Sequence, residues 1–339
     1  MRPVGTPGTQ LYDDDTTEPA EHTINNAKAY LRDFHSFNQR FIEHLRGRDS
    51  KNFPERLQNP IRVAVIDSGV SENDPKISAA IEQKRIVERK NWTESSYNDT
   101  YGHGTHVAKL FLTVAPNAKL YIAKVSENNK YILDTNLPTL GKAIDYAIDK
   151  WDVDIISISL GLDKSEPNID AALDKALRPR GSNNRSYEKI VFAAASNEGA
   201  RRACAFPARK PGVIRVNASD GNGGDIQRLS PGVDPNTENF VTLGINILSR
   251  WQGTDTLISG TSFATPIAAA IAADILELAR FEVDIGVVEQ RWLYSSKGMR
   301  AALKRYAEKV PGYRFLRPLE SPEAVVQKLK EVLAVDFYV

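Results

Sequence analysis

The chain has 339 residues, a formal net charge of +1 and a single cysteine, Cys204. This length holds one large domain with appendages, or two modest ones. A balanced charge without a basic block argues against nucleic acid as the main partner. One cysteine excludes an intrachain disulfide and favours a reducing, intracellular setting, so a cytoplasmic location is expected.

Residues 1–23, MRPVGTPGTQLYDDDTTEPAEHT, contain Gly, Pro, Thr and Asp without an apolar period and read as a disordered leader. They lack the apolar h-region of a secretory signal. Residues 24–59 form an N-terminal helical segment: Ala27, Tyr30, Leu31, Phe34, Phe41, Ile42 and Leu45 recur at helical spacing, and Gly47 supplies a stop.

Residues 60–283 alternate strand and helix as a mainly parallel sheet requires. Strands are expected at 61–66, 119–125, 153–160, 188–195 and 212–217, and helices at 104–113, 138–150 and 168–178. AKLYIAKV and VDIISISL are nearly continuous apolar runs, which suits strands covered on both faces. In such a sheet the loops after the strands lie along one edge, where sites form. Asp67, Ser159 and Asn197 fall at or just past strand ends.

Three stretches carry candidate chemistry. IRVAVIDSGV ends a β-branched run in Asp67. YGHGTHVAKLF sets His103 between Gly102 and Gly104 at a helix start. SGTSFATPIAAAIAADIL puts Ser262 where a turn enters an apolar, small-residue helix, with Pro266 read as part of its first turn. Individually each has a plain alternative: a turn aspartate, glycines allowing close backbone approach, and a serine N-cap. Together they supply an acid, a base and a nucleophile. The ATPIAAAIAADIL run is too short to span a bilayer, so no membrane partner is expected.

DSG, GHGTHVA and GTSFATP resemble the three signature blocks of the subtilisin-like (subtilase) serine proteases, and the resemblance extends over about residues 60–280. It implies a three-layer α/β fold with a mainly parallel central sheet, here with N- and C-terminal helical extensions. It also implies endopeptidase chemistry on polypeptide substrates through Asp67, His103 and Ser262. VFAAASNEG resembles the block carrying the oxyanion-hole asparagine, which makes Asn197 that donor; otherwise it is a turn residue beside Gly199. The resemblance further implies an extended substrate strand along Ser159, Leu160 and Gly161, and a first specificity pocket lined by Ala194, Ser196, Glu198 and Ala205. Ser196 stands where Gly is usual, and Ala205 where some members have Gly; both narrow the pocket. Glu198 on the rim would tolerate a basic side chain.

Family members usually carry a helix–loop insertion after GHGTHVA that often binds structural calcium. Here the block runs almost directly into VAPNAKLYIAKV, so no calcium and no other cofactor is expected. His103 and His106 stand at i, i+3, but without a nearby acidic or cysteine partner His106 reads as a core histidine and no metal site is expected. Cys204, near the cleft, reads as a small buried apolar residue or a cleft-facing thiol. Residues 1–60 look too short and too poor in strands for the family's inhibitory prosegment, so no latent form is expected. Residues 284–339 read as a helical C-terminal extension, its last helix opening at Ser321-Pro322. The terminal helices would cover the core or dock other domains or a partner. The alternative function is an inactive or partner-gated module that binds or regulates. An α/β-hydrolase esterase is disfavoured, because no G-x-S-x-G surrounds Ser262.

Overall fold

The computed structural model describes residues 9–11, 19–46, 60–127, 130–131, 137–179, 187–200, 203–283 and 285–337. The N-terminal part contains strand β1 (Thr9–Leu11), helix α1 (Glu21–Arg46), β2 (Arg62–Asp67), α2 (Pro75–Glu82), β3 (Ile86–Asn91), α3 (His103–Val114), β4 (Lys119–Lys124) and β5 (Lys130–Tyr131). The middle continues with α4 (Leu137–Asp149), β6 (Ile155–Ile158), β7 (Leu160–Gly161), α5 (Pro167–Ala176), β8 (Ile190–Ala194), β9 (Ile214–Ser219), the short α6 (Ile226–Leu229) and β10 (Phe240–Leu243). Then come the hairpin β11 (Ile247–Trp251) and β12 (Thr254–Ile258), α7 (Thr261–Glu282), α8 (Val287–Leu293), α9 (Ser296–Tyr306), the hairpin β13 (Glu308–Val310) and β14 (Tyr313–Phe315), and α10 (Pro322–Val332).

The central sheet has nine strands in the order β13-β14-β10-β9-β8-β6-β2-β4-β3. Every neighbouring pair is parallel except β13–β14. Alternation along the strands assigns the two faces. Val63, Val65, Leu120 and Ile122 pack with α1, α3 and α7 in one apolar layer. Ala64, Ile66, Tyr121 and Ala123 pack with α4 and α5 in the other. These are the three layers that a sheet apolar on both faces demands.

The strands and helices expected between residues 61 and 217 appear within a few residues of their expected bounds. Four features differ from expectation. The leader contributes β1, which forms a three-stranded sheet in the order β5-β1-β7; the rest of residues 1–18, and Gly47, lie outside the described residues. The C-terminal segment is not wholly helical, because β14 joins the central sheet beside β10. Its last helix does open as expected, with the Ser321 side chain accepting from the Ala324 amide and Pro322 at the first position. Pro266 lies inside α7 rather than in its first turn, since the helix already begins at Thr261; lacking an N–H, it leaves the Ser262 carbonyl without its i+4 donor. Finally, Thr261–Arg280 is long and apolar enough to cross a bilayer, more than the shorter run suggested, yet it is wholly enclosed by the fold. Ala268, Ala269, Ala270, Ala272 and Ala273 are buried there, and small side chains let neighbouring layers approach closely.

Helix α1 ties the beginning of this fold to its end. Buried Tyr30 hydrogen-bonds through its hydroxyl to the Leu316 carbonyl at 2.7 Å and to the Thr242 hydroxyl. Burial pushes its phenol well above the usual range, so it remains a donor. Asn246 donates to Thr23 at 2.6 Å, and the Arg40 guanidinium donates to the Glu320 carbonyl.

Candidate active site

Asp67 ends β2, His103 is the first residue of α3, and Ser262 is the second of α7. The fold brings these three ends to one point. His103 Nδ1 lies 2.7 Å from Asp67 Oδ1, and Nε2 lies 2.9 Å from Ser262 Oγ. Asp67 and Ser262 are fully buried and His103 is nearly so. The Ser68 amide also donates to Asp67 Oδ1, at 2.7 Å. The N-cap of α7 is Gly260, without a side-chain cap bond. Ser262 is therefore not a capping serine: its hydroxyl is committed to the imidazole.

The flanking glycines are required by space. A Cβ on Gly104 would sit 2.2 Å from the Gly69 carbonyl oxygen and 3.0 Å from Asp67 Oδ1. Gly102 caps α3 at φ 99°, and a Cβ there would meet the Trp251 ring at 2.8 Å. The tip of the β11–β12 hairpin, which holds Trp251, thus presses on the turn that delivers His103.

Beneath that turn lies a residue the sequence reading missed. Buried Asp99 accepts from the amides of Tyr101, Gly102 and Thr105 and from the hydroxyls of Ser68 and Thr105, at 2.6–3.1 Å. Ser68 Oγ in turn accepts from the Gly104 amide at 2.9 Å. One carboxylate therefore pins both sides of the imidazole's approach. The local signal was the Asp-x-x-Gly pattern DTYG, an Asx-type turn. Tyr101 was missed as well; its ring lies nearly parallel to that of His103, with centroids 6.4 Å apart, while Phe263 covers the ring from 4.9 Å.

Asn197 follows β8. Its Oδ1 accepts from the Thr261 amide at 2.8 Å, which fixes which end of the amide is which. Its Nδ2 is buried and has no hydrogen-bond partner among the described residues. An orphaned buried donor is costly unless something else accepts from it. The Ser262 N–H belongs to the first turn of α7, where amides have no intrahelical acceptor. The two donors suit a developing oxyanion.

The expected substrate-contacting residues assemble around three chain segments. Ser159 and β7, which holds Leu160 and Gly161, are buried. Leu162 pairs with Phe206 through two backbone bonds of 2.6 and 2.9 Å, and the Ala205 amide donates to the Ala195 carbonyl at 2.7 Å. Ala194 and Ala205 meet in a small buried apolar contact of their own. Ser196 is buried at φ 154°, a backbone state that glycine adopts far more easily than serine. Glu198 is exposed on the rim. Cys204 is half-buried, and burial raises its thiol pKa, which keeps it protonated and weakly reactive.

His106 turns away from this chemistry, with Nδ1 2.7 Å from Ser249 Oγ. Burial, then the charges of Lys109 and His103, push its pKa down to about 4, against the opposing pull of Asp74. A neutral histidine hydrogen-bonded to serine matches the core role expected for it. No group of three or more His, Cys, Asp or Glu able to hold a metal ion occurs among the described residues. Helix α3 reaches β4 through Ala115–Ala118 alone, the shortened connection seen in the sequence.

The sequence profile of the subtilase family matches residues 58–319. The chain belongs to the subtilase family. This subtilase is 34% identical to a thermostable alkaline protease of Halalkalibacterium halodurans over 63% of its own length and 56% of that protein's. It is 31% identical to subtilisin E of Bacillus subtilis over 64% of its length and 55% of subtilisin E. It is also 31% identical to the subtilisin-like protease het-Q2 of Podospora anserina, over 63% and 61% of the two chains. The matched regions thus span about half the length of these curated relatives. Among solved structures, the prenylagaramide maturation protease PagA superposes with a TM-score of 0.59 at 22% identity, over 83% of this chain and 99% of that one, a likeness of fold.

Proposed function

We propose that this subtilase is a serine endopeptidase that cleaves polypeptides through an acyl-enzyme. The observation that carries the reading is the continuous hydrogen-bonded path Asp67–His103–Ser262, buried throughout and flanked by the unpartnered Nδ2 of Asn197. His103 Nε2 takes the Ser262 proton as Oγ attacks the scissile carbonyl, and later gives it to the leaving amine. Asp67 holds the Nδ1–H and stabilises the imidazolium. Asn197 Nδ2 and the Ser262 amide take the oxyanion. His103 must be neutral to act as the base, so activity rises through the imidazole range, near pH ~6.5 for an unperturbed ring, towards the alkaline side.

The substrate's acyl side runs as a strand against Ser159–Gly161. Ala194 and Ala205 would line the first pocket, narrowed by Ser196 and Ala205, with Glu198 at its mouth. The shortened connection after α3 supports a peptidase that works without the family's calcium.

The test is labelling by a fluorophosphonate at about pH 8. Wild type labels, and Ser262→Ala does not. Asn197→Ala keeps the fold and lowers turnover of a peptide substrate by about 10²–10³-fold, the magnitude measured for the corresponding donor in subtilisin. A folded wild type that neither labels nor cleaves peptides would end this reading in favour of a binding module.

A further inference from the structure

Arg215 is a buried cation without a carboxylate. It stands on β9 opposite Ala193 of β8, and alternation puts its side chain in the apolar layer that holds Ala193, Val213, Phe206 and Ala208. Only 5% of the residue is exposed. A guanidinium stays charged and offers several N–H donors. Here one nitrogen donates to Asn239 Oδ1, while the buried Nε has no acceptor among the described residues. The acids nearby serve other groups. Glu238 lies 3.9 Å from both Arg300 and Lys304, and Asp234 Oδ1 accepts from the Asn236 amide at 2.9 Å. A charge taken out of water is costly unless a counter-charge comes to it.

The place of this charge gives it a use. The Arg215 guanidinium hydrogen-bonds to the thiol of Cys204. Cys204 precedes Ala205, an expected wall of the first specificity pocket. The Ala205 amide donates to the Ala195 carbonyl at 2.7 Å, and its side chain meets Ala194. Arg209 donates to the Cys204 carbonyl at 3.2 Å and lies 5.8 Å from the centre of the Phe206 ring. Arg215 and Arg209 thus back the same wall. Glu198, at the mouth, is exposed, so water and salt screen its charge. Arg215 acts through a poorly polarisable interior, where the same charge reaches further.

Resting on the peptidase reading, we propose that Arg215 determines specificity: the first pocket takes the side chain of aspartate or glutamate, and the substrate is a polypeptide cut after an acidic residue. The entering carboxylate brings the counter-charge that the fold does not supply. Glutamine has nearly the volume of glutamate but no charge, and lysine brings a like charge towards Arg215 and Arg209. Ser196 and Ala205, which narrow the pocket, favour these slender side chains over an aromatic ring. The buried cation therefore reverses the preference that Glu198 alone suggests.

The test measures kcat/KM for peptides that differ only in the residue before the cut, Glu, Gln or Lys. Wild type, Arg215→Met and Cys204→Asp are compared, with fluorophosphonate labelling to report an assembled triad in each. Wild type should favour Glu over Gln by at least about 10-fold and cleave the Lys peptide worst. Arg215→Met keeps a long side chain without the charge, and Cys204→Asp places a carboxylate beside the guanidinium. Either should bring Glu and Gln within about 3-fold of each other. If Arg215→Met does not fold, Cys204→Asp, at a half-buried position, decides. A wild type that labels yet cleaves Gln as fast as Glu, or prefers Lys, overturns the acidic specificity and leaves the peptidase reading standing. A Glu preference that survives in a labelled variant overturns the role of Arg215. A folded wild type that neither labels nor cleaves overturns the peptidase reading, and this inference with it.

Discussion

Two histidines one turn apart on α3 share a helix, deep burial and contact with Phe263, yet the fold gives them different partners. His103 lies between a carboxylate and a hydroxyl, the setting that the proposed general base requires. His106 bonds to the Ser249 hydroxyl, and burial, then the charges of Lys109 and His103, keep it neutral to about pH 4. Burial alone disfavours the imidazolium; a carboxylate at hydrogen-bond distance is what makes a buried histidine usable as a base. The i, i+3 spacing that could suggest a shared metal instead separates two hydrogen-bond networks.

The largest test of this contrast is His103→Gln, which should lower turnover by at least about 10⁴-fold, a magnitude taken from serine proteases including subtilisin. His106→Gln should leave turnover within about 3-fold; a loss comparable to that of His103→Gln would break the comparison. Next is Asp99→Asn, which replaces the shared acceptor beneath the His103 turn with a group that carries two donors. It should cost about 3–5 kcal/mol in urea unfolding and reduce kcat with little change in KM.

The pH dependence of stability sharpens the comparison further. Above pH ~6.5 His106 is neutral both folded and unfolded. Between ~6.5 and about 4 the unfolded chain binds a proton that the folded chain refuses, so stability falls as pH drops. The loss approaches roughly 3 kcal/mol by pH 4, and His106→Gln should remove that part of the slope in denaturant titrations at pH 7.5, 6 and 4.5. The smallest expected effect is that of a chelator. Incubation in EDTA should leave peptide hydrolysis unchanged, and rapid loss of activity would restore a metal to the site.

Much of this was legible because the chemistry sits in contiguous blocks. Asp67, His103, Ser262 and Asn197 each carry local context, and β-branched runs mark the strands beneath them. What escaped depends on distant partners. Asp99 looks like any turn aspartate until Ser68 and Thr105 fold around it. Tyr101 gains meaning only from the ring beside it. Val87, at 44% exposure, leaves edge strand β3 without the apolar alternation that marks a strand, and β14 follows helices that suggested the sheet had ended. β1 was least visible of all, because three residues of no special propensity become a strand only between two neighbours that await one.

The Tyr30 anchor also sets an order of events. Its acceptor on Leu316 lies 286 residues later in the chain. At synthesis rates of about 5–20 residues per second, α1 leaves the ribosome roughly 15–60 s before that acceptor exists. Helix α1 must wait for a segment made 286 residues later, so the core next to α7 closes only after Leu316 has emerged.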